Sequence, residues 1–149
     1  MIGGIMSNNN NVTKVLAIKA PPPVGPYPHA IVVGDFIFVS GMGPRKQGQN
    51  EIPGVTKNSQ GKIINHDIVI QTRSTIENIK IVLEEAGSSL SHIVDVTVYL
   101  THMKQDFASF NQIYGEYFSH IAPTRTTVEV KSLPTPIAVE LKVVAYRPK

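Results

Sequence analysis

The stretch NHDIVIQTRSTIENIKIVLEEAG, residues 65–87, runs through SSLSH (88–92) into IVDVTVYL (93–100) and changes its apolar period on the way. In the first part Val69, Ile76, Ile79 and Leu83 recur at helical spacing; Asn65 or Asp67 stands where an N-cap belongs, and Gly87 where a helix ends. In the second part Val94, Val96, Val98 and Leu100 fall on one face of a strand, with Asp95, Thr97 and Tyr99 on the other. A helix that feeds a half-polar strand sets the pattern for the rest of the chain.

Toward the C-terminus, QDFASFNQIYGEYFS (105–119) predicts a second helix starting near Asp106, with Phe107, Phe110, Ile113, Tyr114 and Tyr117 as a stripe for core packing. TRTTVEV (124–130) and IAVELKVVAY (137–146) predict two strands, joined by KSLPTP (131–136), whose prolines suit a turn and not a ladder. Upstream, APPPVGPYPHA (20–30) is an extended, turning entry segment, and IVVGDFIFVSG (31–41) is two short strands hinged at Gly34-Asp35. Phe36 and Phe38 lie on one face of the second strand, Ile37 and Val39 on the other. Between Pro44 and Ile63 the turn residues Gly48, Pro53, Gly54 and Gly61 mark a long excursion rather than a core element. The order β-β-α-β-α-β-β describes an α+β domain, a sheet with two helices on one face. Its second face keeps apolar side chains that a lone domain would expose, so a homo-oligomer is expected.

Composition sets the outer limits. Residues 15–149 suffice for a single domain, while residues 1–14, with an asparagine run, have the character of a flexible tail in which Met6 is a second candidate initiator. The start has neither the basic nor the apolar region of a secretory signal, and no apolar run approaches the length of a membrane span, so a soluble, cytoplasmic protein is expected. With 42% hydrophobic and 17% charged residues the chain is not a disordered one. The absence of cysteine excludes disulfides, thiolate metal sites and thiol nucleophiles. A net charge of +3, spread from Lys14 to Lys149 without a cluster, speaks only weakly for a nucleic-acid partner.

One arginine stands out: Arg125 sits among small hydroxyl and β-branched residues in a strand that should be buried. If KSLPTP closes a hairpin, Thr127 faces Glu140 and Arg125 lies diagonally across from Glu140 on a shared face. Two roles then stay open for Arg125, a cross-strand ion pair and a planar receptor for a substrate carboxylate. The histidines His29, His66, His92, His102 and His120 lack metal-like spacing, SGMGP lacks the setting of a phosphate loop, and Ser40 has no nucleophile elbow around it.

The ordered set VGPYPHA, FVSG, TIENIKIVLEEAGSSL, VDVTVYL, DFASFNQIYGEYF, PTRTTVEV and VELKVVA resembles the RidA (YjgF) family of imine and enamine deaminases over Pro21 to Tyr146. That resemblance implies a chorismate-mutase-like α+β fold, a homotrimer with active sites in the clefts between subunits, and hydrolysis of 2-imino or 2-enamino acids to 2-oxo acids and ammonia without metal or organic cofactor. By position it makes Arg125 the receptor of a small-molecule carboxylate and Glu140 the acid that holds or activates water; Tyr27, Ser40, Asn111 and Thr127 are pocket positions. Met42 and Thr127 stand where many members have glutamine and cysteine, which removes thiol chemistry. The long excursion, YPHA and LPTPIAVELKVVA are similar to the 2-aminomuconate deaminase branch, in which Arg45 or Lys46 would meet a second substrate carboxylate. General activity on small 2-imino acids is the alternative within the family; an RNA-binding or ribonuclease protein and a ligand-binding trimer without turnover are the rivals outside it.

Overall fold

The structure is a computed structural model that describes residues 4–7 and 11–149. Two of its strands come first: β1 (Gly4–Ser7) and β2 (Val12–Leu16) pair antiparallel, and β2 continues onto β3 (Ala30–Val33). They occupy most of the segment expected to be a flexible tail, whose Asn8–Asn10 lie outside the described residues. The cause is burial: Val15 has no exposed surface, so the edge gains an apolar anchor that the neighbouring asparagines conceal in sequence.

The hairpin at Gly34-Asp35 forms as expected, joining β3 to β4 (Phe36–Val39) with Gly34 in the left-handed region at φ 58°. Inside the 44–63 excursion the chain makes a small separate hairpin, β5 (Val55–Lys57) with β6 (Ile63–His66), where a loop was expected. It is tied to α1 (Ile68–Glu85) by polar contacts rather than by a core: the Asp67 amide donates to the Gly54 carbonyl, the Gln71 amide to Pro53 and the Ser74 hydroxyl to Pro44. Asp67 is the N-cap of α1, its Oδ1 accepting from the amides of Val69 and Ile70.

Next come β7 (Ile93–Leu100) and α2 (Met103–Phe118), which starts three residues before the expected Asp106. Val96, Val98 and Leu100 are buried as the alternation requires, but Val94 is exposed. A bulge between Ile93 and Asp95 changes the side of the sheet, and Ile93 takes the buried place.

The last two strands, β8 (Thr124–Glu129) and β9 (Val139–Tyr146), are not a hairpin. The larger sheet runs β1-β2-β3-β4-β9-β7-β8, so β7 lies between them, parallel to β8 and antiparallel to β9. With α2 as the crossover, β7 and β8 are the two parallel strands of a β-α-β unit, and the turn-rich 131–138 segment merely carries the chain past β7. The α+β class stands. α1 packs on β2, β4 and β9, α2 packs on β7, and the helices touch each other. Ile37, Val39, Leu141, Val143, Ile76, Ile79 and Phe110 form the core between the layers. Away from the helices, Phe36 is 50% and Phe38 46% exposed, with Val33 and Tyr146 exposed on the same strands, so the second face is apolar as expected.

Candidate functional site

Arg125 stands on the edge strand β8 opposite Val96, and Thr127 opposite Val98; both partners are buried toward the helices, so Arg125 and Thr127 face that side too. The guanidinium carbon lies 4.7 Å from the ring centre of Tyr114, 5.8 Å from Phe110 and 5.9 Å from Phe107. Three aromatic faces therefore hold the cation by its π attraction and shape the space around it. Among the described residues no carboxylate forms an ion pair with it. Beside it, burial pushes the Tyr114 phenol up, the Arg125 charge pulls it partly back and Asp95 pushes it up again. Tyr114 Oη and Thr127 Oγ1 are buried without a hydrogen-bond partner, which costs free energy unless something else satisfies them. Asn111, four residues after Phe107 and three before Tyr114, belongs to the same stripe of α2.

Glu140 is placed differently. It stands on β9 opposite Tyr99, between Val139 and Leu141, which are fully buried toward the helices. Its carboxylate therefore lies on the other side of the sheet from Arg125, correcting the expected shared face and diagonal ion pair. The expectation rested on a β8–β9 hairpin; inserting β7 between them removes the contact. Glu140 packs on the backbone of Gly41, where a Cβ would come within 2.7 Å of Oε2. Burial raises its carboxyl above the usual glutamate range, and Lys142 lowers it only partly. A guanidinium beside it would lower it, but within one chain Arg125 lies across the sheet.

Tyr27, Ser40 and Arg45 gather beside Gly41, the residue whose backbone Glu140 packs against. Together with His29 and Gly41 they line a small cavity of about 30 Å³ under the proline-rich entry segment. The Ser40 hydroxyl donates to the Pro28 carbonyl at 2.8 Å, and Arg45 Nη2 donates to Pro22 at 2.8 Å, which leaves the rest of its fork free for a ligand. The Val24 amide donates to Tyr27 Oη at 3.3 Å. His29 accepts from the Ala17 amide at Nδ1 and lies 2.8 Å from the Pro21 carbonyl at Nε2, the bonding of a packing residue. An apolar groove of about 490 Å³ continues from Tyr27 along Leu16, Ile18 and Pro26.

One chain thus carries two half-sites: a cation with unsatisfied polar neighbours, Arg125, Tyr114, Thr127 and Asn111, and a carboxylate with a small polar pocket, Glu140, Ser40, Tyr27 and Arg45. The sequence singled out most of these residues but missed the roles of three others. The aromatic stripe of α2 reads as core, and only the placement of β8 turns Phe107 and Tyr114 into the walls around Arg125; Gly41 matters only because β9 runs beside it. His66, His102 and Asp106 also converge, at the start of α2.

Comparison with known proteins agrees with this architecture. A family model described as Endoribonuclease L-PSP matches residues 17–147. A RutC family protein of Pyrococcus abyssi is 46% identical over 129 residues, covering 87% of this chain and 92% of its own. The protein named "Putative reactive intermediate deaminase TdcF" of Escherichia coli is 33% identical over 132 residues, covering 87% of this chain and 92% of its own. Among solved structures, TdcF with bound serine superposes with a TM-score of 0.76 at 30% identity, covering 91% of this chain and 98% of that one. The E. coli YjgF gene product superposes with a TM-score of 0.77 at 29% identity, with the same coverage.

Proposed function

Because the chain belongs to the RidA/YjgF family, we propose that it is a deaminase of reactive 2-imino and 2-enamino acids, with Arg125 as receptor of the substrate carboxylate and Glu140 as the base for water. The observation that carries this reading is Arg125: a half-buried guanidinium held by three aromatic rings, with no anionic partner among the described residues and two unsatisfied hydroxyls on its flanks. A ligand carboxylate supplies the missing anion through two parallel charge-assisted hydrogen bonds. The serine bound in the TdcF structure is a small acid with such a carboxylate.

The two half-sites meet when copies assemble. Arg125 of one copy and Glu140 of the next enclose one cleft of a homotrimer, whose formation also covers the apolar face around Phe36 and Phe38. Within that cleft the enamine acid tautomerises to the imine, and water adds to C2 as its proton passes to Glu140. Glu140 returns that proton to the imine nitrogen to complete the carbinolamine, then carries the hydroxyl proton to the same nitrogen, and the C2–N bond breaks to release ammonia and leave the 2-oxo acid. No cofactor enters this sequence. Holding the acid and a water in register accounts for much of the rate, and a positioned base adds on the order of 10²- to 10⁴-fold. A carboxyl raised by burial suits the task, since a base works best when its pKa approaches the working pH.

Within the family, 2-aminomuconate is the substrate proposed here. Arg45 spends one nitrogen on Pro22 and offers the others beside Tyr27 and Ser40, where a second carboxylate would lie. The test is ammonia release from freshly generated 2-aminomuconate against 2-iminopropionate, for wild type, Arg125→Ala and Arg45→Ala. Turnover of both with preference for 2-aminomuconate, lost selectively in Arg45→Ala, is expected. Equal preference in wild type overturns the dicarboxylate assignment; arginine-independent release overturns the site. The family description also names an endoribonuclease, so cleavage of single-stranded RNA with a steep salt dependence is the measurement that would favour that activity.

A further inference from the structure

His66 ends β6, His102 precedes the first turn of α2, and Asp106 lies within that turn. Each offers one ligand atom, and the three atoms lie within 4.8 Å of one another. His66 Nε2 is 2.7 Å from Asp106 Oδ2, and the two imidazole rings stand with centres 5.0 Å apart, tilted by 43°. Donor atoms around a tetrahedral Zn²⁺, with bonds of about 2.0 to 2.1 Å, sit roughly 3.3 Å apart, so closing the cluster takes about an ångström or more of movement, most of it in the exposed His102. His102 Nδ1 is 2.8 Å from Thr101 Oγ1; in the tautomer with its proton on Nδ1 the ring donates to that oxygen and Nε2 is left for an ion.

We propose that His66, His102 and Asp106 form a binding site for a divalent transition ion, Zn²⁺ by preference, that clamps the β5–β6 hairpin to α2. Two imidazoles and a carboxylate select such an ion over Mg²⁺ or Ca²⁺, which take oxygen ligands. Asp106 is 2% exposed, and among the described residues its buried carboxylate has one side-chain partner, His66. An ion would add charge compensation there. Cavities of about 400 and 240 Å³ open beside the cluster, and both are lined by His66 and His102. They supply an entry path and room for the water that completes a three-ligand site. The larger is walled by residues 131–138, the segment leading into β9, so occupancy would also steady the approach to Glu140. The sequence concealed this site because only His102 and Asp106 share a helical spacing; His66 arrives from the excursion.

The test uses the untagged full chain stripped with chelator, then equilibrium dialysis against Zn²⁺ and visible absorption with Co²⁺ as probe. One ion per chain is expected, with Co²⁺ bands of a low-coordinate site and a thermal midpoint that rises with Zn²⁺. His102→Gln should lower the affinity by more than about tenfold, since even residues one shell further out cost 10- to 100-fold. His92→Gln, which alters the histidine at the opposite end of β7 from His102, should bind as wild type. Asp106→Asn provides a second ligand variant and should lose the Co²⁺ bands while the far-ultraviolet spectrum stays native. Substoichiometric binding by the wild type, or wild-type binding by a folded His102→Gln, overturns the proposal.

Discussion

Arg125→Ala separates the receptor role of this residue from a structural one, because the two make opposite demands on stability. Among the described residues the guanidinium has no ion pair, so its removal strands no buried carboxylate there. What the fold loses is contact with Phe107, Phe110 and Tyr114, worth about 0.5 to 1 kcal/mol per ring at a partly exposed site and less than additive, while relief from holding a half-buried charge offsets part of it. A net change near 1 kcal/mol corresponds to about 2 to 4 °C in a chain of this size. Catalysis should suffer far more. Breaking a desolvated guanidinium–carboxylate contact costs about 2 to 5 kcal/mol, which is roughly 30- to 5,000-fold in kcat/KM at 1.36 kcal/mol per decade. The assay pairs ammonia release with calorimetry and sedimentation on the same preparation. Turnover within a few-fold of wild type in a folded, assembled variant refutes the receptor role. A loss of stability large enough to explain the loss of turnover would make Arg125 a structural residue.

Glu140→Gln should abolish the acid limb of the rate profile, which in the wild type has its midpoint above the ordinary glutamate value of 4.5 because burial favours the protonated form. Linkage has a definite sign here: the carboxyl holds its proton more tightly folded than unfolded, so ionising it costs stability as pH rises through the folded pKa. Glu140→Gln should therefore raise the thermal midpoint at neutral pH but not below the unfolded carboxylate range; an equal shift at both pH values would contradict the burial. Gly41→Ala puts a methyl group 2.7 Å from Glu140 Oε2, where the flexible carboxyl can swing away. Turnover should fall by about 10²-fold with the melting temperature little changed, since an ångström of misplacement is costly to catalysis alone. Asp67→Ala removes the acceptor of two amide bonds at the start of α1 and should cost about 1 kcal/mol, read as a lower urea midpoint at unchanged slope.

The elements themselves were legible in local pattern. Helical spacing located α1, with Asn65 or Asp67 as its start, of which the structure uses Asp67, and Gly87 just past its end; alternation located β4, β7 and β9 and assigned Phe36, Phe38, Ile37 and Val39 to their faces. Short strands anchored by a single residue, such as β2 around Val15, and the polar-tethered β5–β6 hairpin carry too little apolar period to be seen this way. Arg125 and Glu140 stood out in the sequence as charged residues among β-branched and apolar neighbours, although β8 proved to be an edge strand with no buried residue rather than the buried strand expected.

By itself, then, the sequence determined which residues form helices and strands, which faces they bury, and which polar residues are costly enough to need a purpose. Tertiary structure alone decided that β7 separates β8 from β9, that Arg125 and Glu140 lie on opposite sides of the sheet, and that His66 meets His102 and Asp106. The physical reason is range. Period and capping arise from neighbours a few residues apart, whereas strand order is settled by burial over the whole sheet, among alternatives that a local turn such as KSLPTP hardly distinguishes.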